Sequence, residues 1–83
     1  MKGKNVDFDI DSDCIGLLCP LPVLRARKLL AGMQKGQVLK LRASDAMAAI
    51  DVPHFCADAG HELLAVQPYA QGAAYFIRHG GQS

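Results

Sequence analysis

Hydrophobic and polar residues alternate at two places in the first half of the chain. Val6, Phe8 and Ile10 alternate with aspartates, which is the period-two pattern of a strand with one buried face. This pattern predicts a first strand over residues 5–11. Apolar and basic residues alternate in the same way over residues 39–43, which predicts a second strand with one face in water.

Between these strands, apolar residues recur at helical spacing over residues 20–34. The predicted inner stripe consists of Val23, Ala26, Leu30 and Met33. Arg25 and Lys28 fall on the opposite side, and Gly36 is the expected helix terminator. Strand, helix and strand of these lengths predict a right-handed crossover between two parallel strands.

A second helical segment follows, and a proline interrupts it. Asp45 is placed to cap its start, but Pro53 disfavours helical continuation, so we expect two pieces with a kink. Gly60 supplies the expected stop. Cys56 shares a predicted inner face with apolar neighbours, so we expect it to be a buried small hydrophobe.

The last third of the chain predicts a hairpin. Residues 62–67 and 73–79 are short apolar runs separated by a turn-forming segment, and residues 80–83 read as a flexible tail. Together, the predicted strands and helices indicate one α/β (α+β) domain over residues 1–83. Its order is β-α-β-α-β-β, a two-layer sandwich with two helices on one face of a mixed four-stranded sheet.

Composition narrows the range of functions. With 83 residues the core must be small, and any chemistry uses a surface or a pocket completed by a partner. A net charge of +1 without basic runs does not indicate direct nucleic-acid binding. No apolar span suggests a secretory signal or membrane segment, so we expect a cytoplasmic protein without membrane contacts. Three cysteines are too few for a disulfide framework, and because their number is odd at least one thiol stays free.

Cys19 is the strongest candidate for chemistry. It precedes Pro20-Leu21-Pro22, where the two prolines suit a first helical turn and stiffen the loop. A helix N-terminus favours the thiolate, which is the nucleophilic form of cysteine. Such a thiol can accept sulfur as a persulfide and yield it to another thiolate, with no metal or other cofactor. The alternative from spacing alone is a half-buried cysteine in a proline-shaped turn.

These residues resemble the signature of the TusA/SirA-like family of small sulfur carriers. The resemblance rests on Asp13, Gly16 and the Cys19-Pro20-Leu21-Pro22 motif, followed by a helix with basic residues. It extends over nearly the whole chain through Gly36, the Pro53-His54-Phe55-Cys56 segment, His61-Glu62-Leu63 and Arg78.

The family resemblance implies a β-α-β-α-β-β fold and a sulfur relay. In that relay Cys19 accepts sulfane sulfur from a cysteine desulfurase or a rhodanese-type donor and passes it to a downstream acceptor protein. Related members serve 2-thiouridine formation in tRNA, molybdenum-cofactor enzymes or the oxidation of reduced sulfur compounds. Arg25 and Lys28 are the candidate residues for docking an acidic partner surface.

The chain departs from the family pattern at two places. Ser44-Asp45-Ala46 stands where many members have an Asp-Asp-Pro-like start to the second helix, which bears on helix geometry. Cys14 occupies a position commonly filled by a small or apolar residue. Cys14 is thus a candidate redox partner of Cys19, against the simpler interpretation of a packed strand-end residue.

Other classes of function have weaker signals. The cysteines and histidines lack the paired spacing of a zinc site, and the histidines are expected at the surface. Gly80-Gly81 is followed by Gln82, so it is not the terminal Gly-Gly of a ubiquitin-like carrier. Two alternatives to the sulfur carrier remain: a noncatalytic interaction module that binds a protein through its open sheet face, and a Cys14–Cys19 thiol switch.

Overall fold

Six elements make up the described part of the chain. The structure is a computed structural model, and it describes residues 7–18, 20–70 and 72–81. The elements in chain order are β1 (Ile10–Cys14), α1 (Leu21–Ala31), β2 (Val38–Ala43), α2 (Ala48–Ala59), β3 (Glu62–Tyr69) and β4 (Gly72–Arg78). Neither helix in these ranges is long and apolar enough to cross a membrane.

The four strands form one mixed sheet in the order β1-β2-β4-β3. β1 and β2 are parallel, with Ile10 opposite Leu39 and Cys14 opposite Ala43. β4 runs antiparallel to both β2 and β3. The predicted parallel crossover and the predicted hairpin are both confirmed.

Both helices pack on the same face of this sheet. Leu39 and Leu41 of β2 alternate with polar residues and lie in one buried cluster with residues of both helices. The helical members of this cluster include Ala26, Leu30, Val52, Phe55 and Cys56. The predicted two-layer α+β architecture is therefore confirmed, with the other sheet face left open.

The first strand lies further along the chain than predicted. Instead of residues 5–11, it spans Ile10–Cys14, and Val6 lies outside the described residues. The reason lies at Asp9, whose carboxylate accepts the Val38 N–H at 2.8 Å and takes the place of a backbone partner. Phe8, beyond this point, is 44% exposed, and its ring lies 6.3 Å from that of Phe76 on the open face.

The first helix ends earlier than predicted. It stops at Ala31, where the bonds span three residues instead of four: the Gly32 N–H donates to the Leu29 carbonyl at 3.1 Å, and the Met33 N–H donates to the Leu30 carbonyl at 3.0 Å. Gly36, the expected terminator, lies in the turn before β2 with φ 91°. The inner stripe is confirmed, since Ala26, Leu30 and Met33 are buried and Val23 is half-buried.

The second helix is one segment, so the predicted division into two pieces is wrong. α2 continues through Pro53, although proline removes one helical hydrogen bond. Its buried residues lie on both sides of the proline, so one unbroken helix places them all in the core, which compensates for the lost bond. The stop at Gly60 is confirmed, with the left-handed φ of 81°.

The hairpin strands extend further into their connection than predicted. β3 includes Pro68 and Tyr69. A proline is tolerated in this strand because β3 lies at the edge of the sheet, with β4 as its one neighbouring strand. The tail over residues 80–83 stays a prediction, and Gln82 and Ser83 lie outside the described residues.

Gly72 provides a test of the packing at the hairpin. A Cβ atom there would lie 2.1 Å from the Ala43 carbonyl oxygen, and the φ of 152° disfavours side chains. We therefore expect Gly72→Ala to lower the free energy of unfolding by about 3 kcal/mol in urea denaturation. Gly32→Ala is the control, because its nearest contact is at 3.7 Å and its φ is negative. Equal stability of the two variants would contradict this packing.

Candidate functional site

The loop that carries Cys19 leaves the sheet through a tight turn. The Leu17 N–H donates to the Cys14 carbonyl at 3.1 Å, and Gly16 at the third position has φ 89°. A positive φ at that position is what a type II turn requires, so glycine is the natural residue there. The Asp13 carboxylate accepts the Ile15 N–H at 3.0 Å and stabilises the same turn.

A hydroxyl from the next loop holds this turn in place. Ser44 follows β2 directly, and its Oγ accepts the Gly16 N–H at 2.8 Å. The sequence marks Ser44 only as a departure from the family pattern, and its partner 28 positions away could not be deduced. Asp45 beside it accepts the Met47 N–H at 3.1 Å, so it caps the turn before α2 rather than the helix itself.

Helix α1 begins directly after the cysteine loop. Cys19 lies outside the described residues, and the structure describes both of its neighbours. The Leu21 N–H donates to the Leu18 carbonyl at 2.8 Å. Pro20 occupies the N-cap position and Pro22 is buried in the first turn, so the helix starts at Leu21, one residue after the predicted start.

The electrostatics of this helix end favour a negative charge. The first turn of α1 contains no acidic residue, and the positive end of the macrodipole points toward the loop. Pro20 and Pro22 have no N–H, so Val23 supplies the remaining first-turn donor. Asp45 and Asp51 stand across a shallow groove from the prolines and are the nearest acidic residues lining it.

The loop and the first turns of the two helices, which meet at the groove between Pro22 and Ala48, carry exposed apolar side chains. The members of this cysteine-edge patch are Leu18, Leu21, Leu24, Met47 and Ile50, each between 45% and 69% exposed. Such a concentration of exposed apolar area is typical of a surface that contacts another protein. Sequence reasoning missed it, although Leu21 and Leu24 fall outside the predicted inner stripe.

The two predicted docking residues lie on α1 beside this patch. Arg25 and Lys28 are both exposed, with Lys28 in the last turn. Lys28 lies eight positions after Pro20, which places it about 12 Å along the helix axis. Arg27 behaves differently, because its guanidinium lies 5.2 Å from the centre of the Phe55 ring and turns toward α2.

The other two cysteines are core residues. Cys14 is fully buried at the end of β1, with its Sγ 3.7 Å from the Ser12 hydroxyl. Cys56 is 2% exposed, which confirms the predicted inward position. Burial raises the pKa of the Cys56 thiol to about 11, so it stays protonated and unreactive at neutral pH.

The histidines lie away from the cysteine loop. His54 is exposed on α2, whereas His61 and His79 meet at the opposite edge of the sheet with ring centres 4.8 Å apart. His79 is only 8% exposed, so its predicted surface position is wrong. The structure brings no three metal-binding side chains together within the described residues.

The fold and this edge define a class of protein: a small α+β domain with a Cys-Pro-Leu-Pro loop before an exposed helix. The sulfurtransferase TusA family model matches residues 10–78. The chain therefore belongs to the TusA family.

Individual relatives agree with this assignment. The sulfur carrier protein TusA of Pseudomonas syringae is 36% identical over 75 residues, covering 90% of this chain and 89% of the relative. A relative from Neisseria meningitidis serogroup A is 54% identical over 52 residues, which are 63% of this chain and 70% of that protein.

A solved structure shares the fold. The crystal structure of the SirA-like protein from Desulfitobacterium hafniense superposes with a TM-score of 0.74 and 23% identity. The match covers 89% of this chain and 100% of the other. At this identity the likeness shows the fold alone.

Burial of the two core thiols predicts their behaviour toward an alkylating agent. We expect iodoacetamide at neutral pH to leave Cys14 and Cys56 unmodified in the folded protein and to label both in urea, as read by peptide mass mapping. A pKa near 11 lowers the thiolate fraction of Cys56 about a hundredfold relative to an unperturbed thiol. Its reaction should therefore accelerate as the pH rises toward that pKa. Rapid labelling of either thiol without denaturant would contradict the burial.

Proposed function

We propose that this protein is a cytoplasmic sulfur carrier that bears a persulfide on Cys19. The family match over residues 10–78, which includes the Cys-Pro-Leu-Pro motif, carries this proposal. A relative that covers most of the chain is itself named a sulfur carrier protein. A cysteine desulfurase or rhodanese-type protein supplies the sulfur, and a second protein accepts it.

The start of α1 supports Cys19 as the reactive residue. The position precedes a helix N-terminus without acidic residues, where the macrodipole stabilises a thiolate. The thiolate attacks the terminal sulfur of a donor persulfide, the donor sulfur–sulfur bond breaks, and the donor cysteine leaves as thiolate. Cys19 then carries the sulfur until an acceptor thiolate attacks it in the same way.

The shape of the cysteine edge supports transfer between proteins rather than catalysis on a bound small molecule. The groove between Pro20, Pro22 and α2 is too shallow to enclose a water molecule. The cysteine-edge patch instead presents apolar side chains that a partner can cover. Arg25 and Lys28 flank the patch and suit a partner surface with acidic residues at its rim.

The burial of Cys14 bears on the thiol-switch alternative. A fully buried thiol has no access to an oxidant or a second protein without movement of β1. This observation favours a packing role for Cys14. The sulfur relay therefore requires Cys19 alone among the three cysteines.

Sulfur loading tests the proposal. After incubation with a cysteine desulfurase and cysteine, we expect the intact mass to rise by one sulfur atom, with the added sulfur mapping to the peptide that contains Cys19. Cys19→Ser should abolish loading, because the nucleophile is lost. Cys14→Ser is the matched control and should load normally. Equal loading of Cys19→Ser and the unmodified protein would overturn the proposal. A mobility shift under oxidant that Cys14→Ser abolishes would favour the thiol switch.

Charge reversal tests the docking residues. We expect Lys28→Glu and Arg25→Glu each to slow sulfur transfer about tenfold at low salt, because removal of a rim charge lowers the association rate. The difference should shrink as salt is added. Lys35→Glu is the control, since it makes the same charge change on an exposed lysine at the far edge of the sheet. A similar slowing by all three variants would point to net charge and not to docking by α1.

A further inference from the structure

A polar recess lies at the edge of the sheet opposite the cysteine loop. Its volume is about 420 Å³, within the range of small-molecule sites, although the side toward solvent is open. The side chains that line it are Lys35, His61, Glu62, Arg78 and His79. The rest of the wall is formed by Gly36, Gly60 and Gly80. Because glycine has no side chain, these residues do not fill the recess.

Hydrogen bonds determine which nitrogen of each histidine carries the proton. The Nδ1 atom of His61 accepts the Gly80 N–H at 3.1 Å, and Nδ1 of His79 accepts the Gly81 N–H at 2.9 Å. A neutral imidazole has a single N–H, so in both rings the proton lies on Nε2. Burial, with a smaller contribution from His79, lowers the pKa of His61, so this ring is neutral at pH 7. Each ring thus presents a hydrogen-bond donor and no free acceptor.

The charges of the recess favour an anion. Lys35 and Arg78 contribute two cations, against the single carboxylate of Glu62. That carboxylate is paired with one nitrogen of the Arg78 guanidinium. A guanidinium has five N–H groups, so this ion pair does not use all of them. Lys35 makes no ion pair with the described residues, and its methylene stem lies against Gly81. The ammonium group is therefore available to a ligand.

We propose that this recess binds a small oxyanion, either phosphate or a carboxylate. Lys35 supplies the charge, and His61 and His79, which line the recess, have Nε2–H groups as their hydrogen-bond donors. The donor tautomer of both rings also argues against a metal ion, which would need an unprotonated nitrogen. Because the recess and the cysteine loop lie at opposite edges of the sheet, anion binding is independent of sulfur transfer by Cys19.

An NMR titration of the ¹⁵N-labelled protein with sodium phosphate or sodium acetate, at constant ionic strength and neutral pH, tests this site. We expect saturable shifts at Gly60, Gly80 and the histidine Nε2 nuclei with at least one of the two anions. Lys35→Gln should weaken binding about tenfold. Lys28→Gln removes the same charge from the surface of α1 and should bind as the unmodified protein does.

In a second variant, we expect the affinity for the anion to rise instead of fall. Glu62→Gln removes the carboxylate and releases the Arg78 guanidinium, so we expect tighter anion binding, a result that misfolding cannot imitate. Three results would overturn the proposal: no saturable shift with either anion, the same shifts with sodium chloride, or unchanged affinity in Lys35→Gln. None of them bears on persulfide loading at Cys19.

Discussion

Parallel pairing of β1 with β2 is the constraint on which the arrangement of this protein depends. Parallel neighbours cannot be joined by a hairpin, so the chain must cross the sheet and return before it enters β2. Helix α1 makes this crossing, and its N-terminus therefore lies at the carboxyl edge of both strands. The cysteine loop precedes that N-terminus. The positive helix end, the two prolines and the bond from Ser44 to the Gly16 turn all converge there because of this one pairing.

The small core explains why the three cysteines have different environments. Both helices must cover one sheet face, and inward positions on β1 and α2 are occupied by Cys14 and Cys56. Desolvation makes a buried thiolate costly and raises the pKa of Cys56 to about 11, and both side chains pack as small hydrophobes. Cys19 lies between elements, in the loop that enters α1. The chemistry proposed for it requires a partner, since an 83-residue chain has little room for an enclosed active site.

Much of the fold follows from periodicity, and the errors have local physical causes. Alternation identified β2, because a strand with one buried face repeats every second residue, and two short apolar runs around a turn-forming segment identified the hairpin. The same rule misplaced β1, since the Asp9 carboxylate replaces a backbone partner and a pattern of residue types does not reveal that bond. Pro53 was expected to break α2, but burial on both sides of it keeps the helix whole. A side-chain hydrogen bond decided the first case, and packing decided the second.

The sequence by itself determined the element order, the fold class and the family, because these depend on periodicity and on a short motif with fixed spacing. It also singled out Cys19, whose role is proposed from its position before a helix. Only the tertiary structure decided which surfaces surround the functional edge, since distant segments meet there. The Ser44 bond to Gly16 and the cysteine-edge patch belong to this class. At the opposite edge, His61 and His79 likewise become neighbours only when β3 pairs with β4.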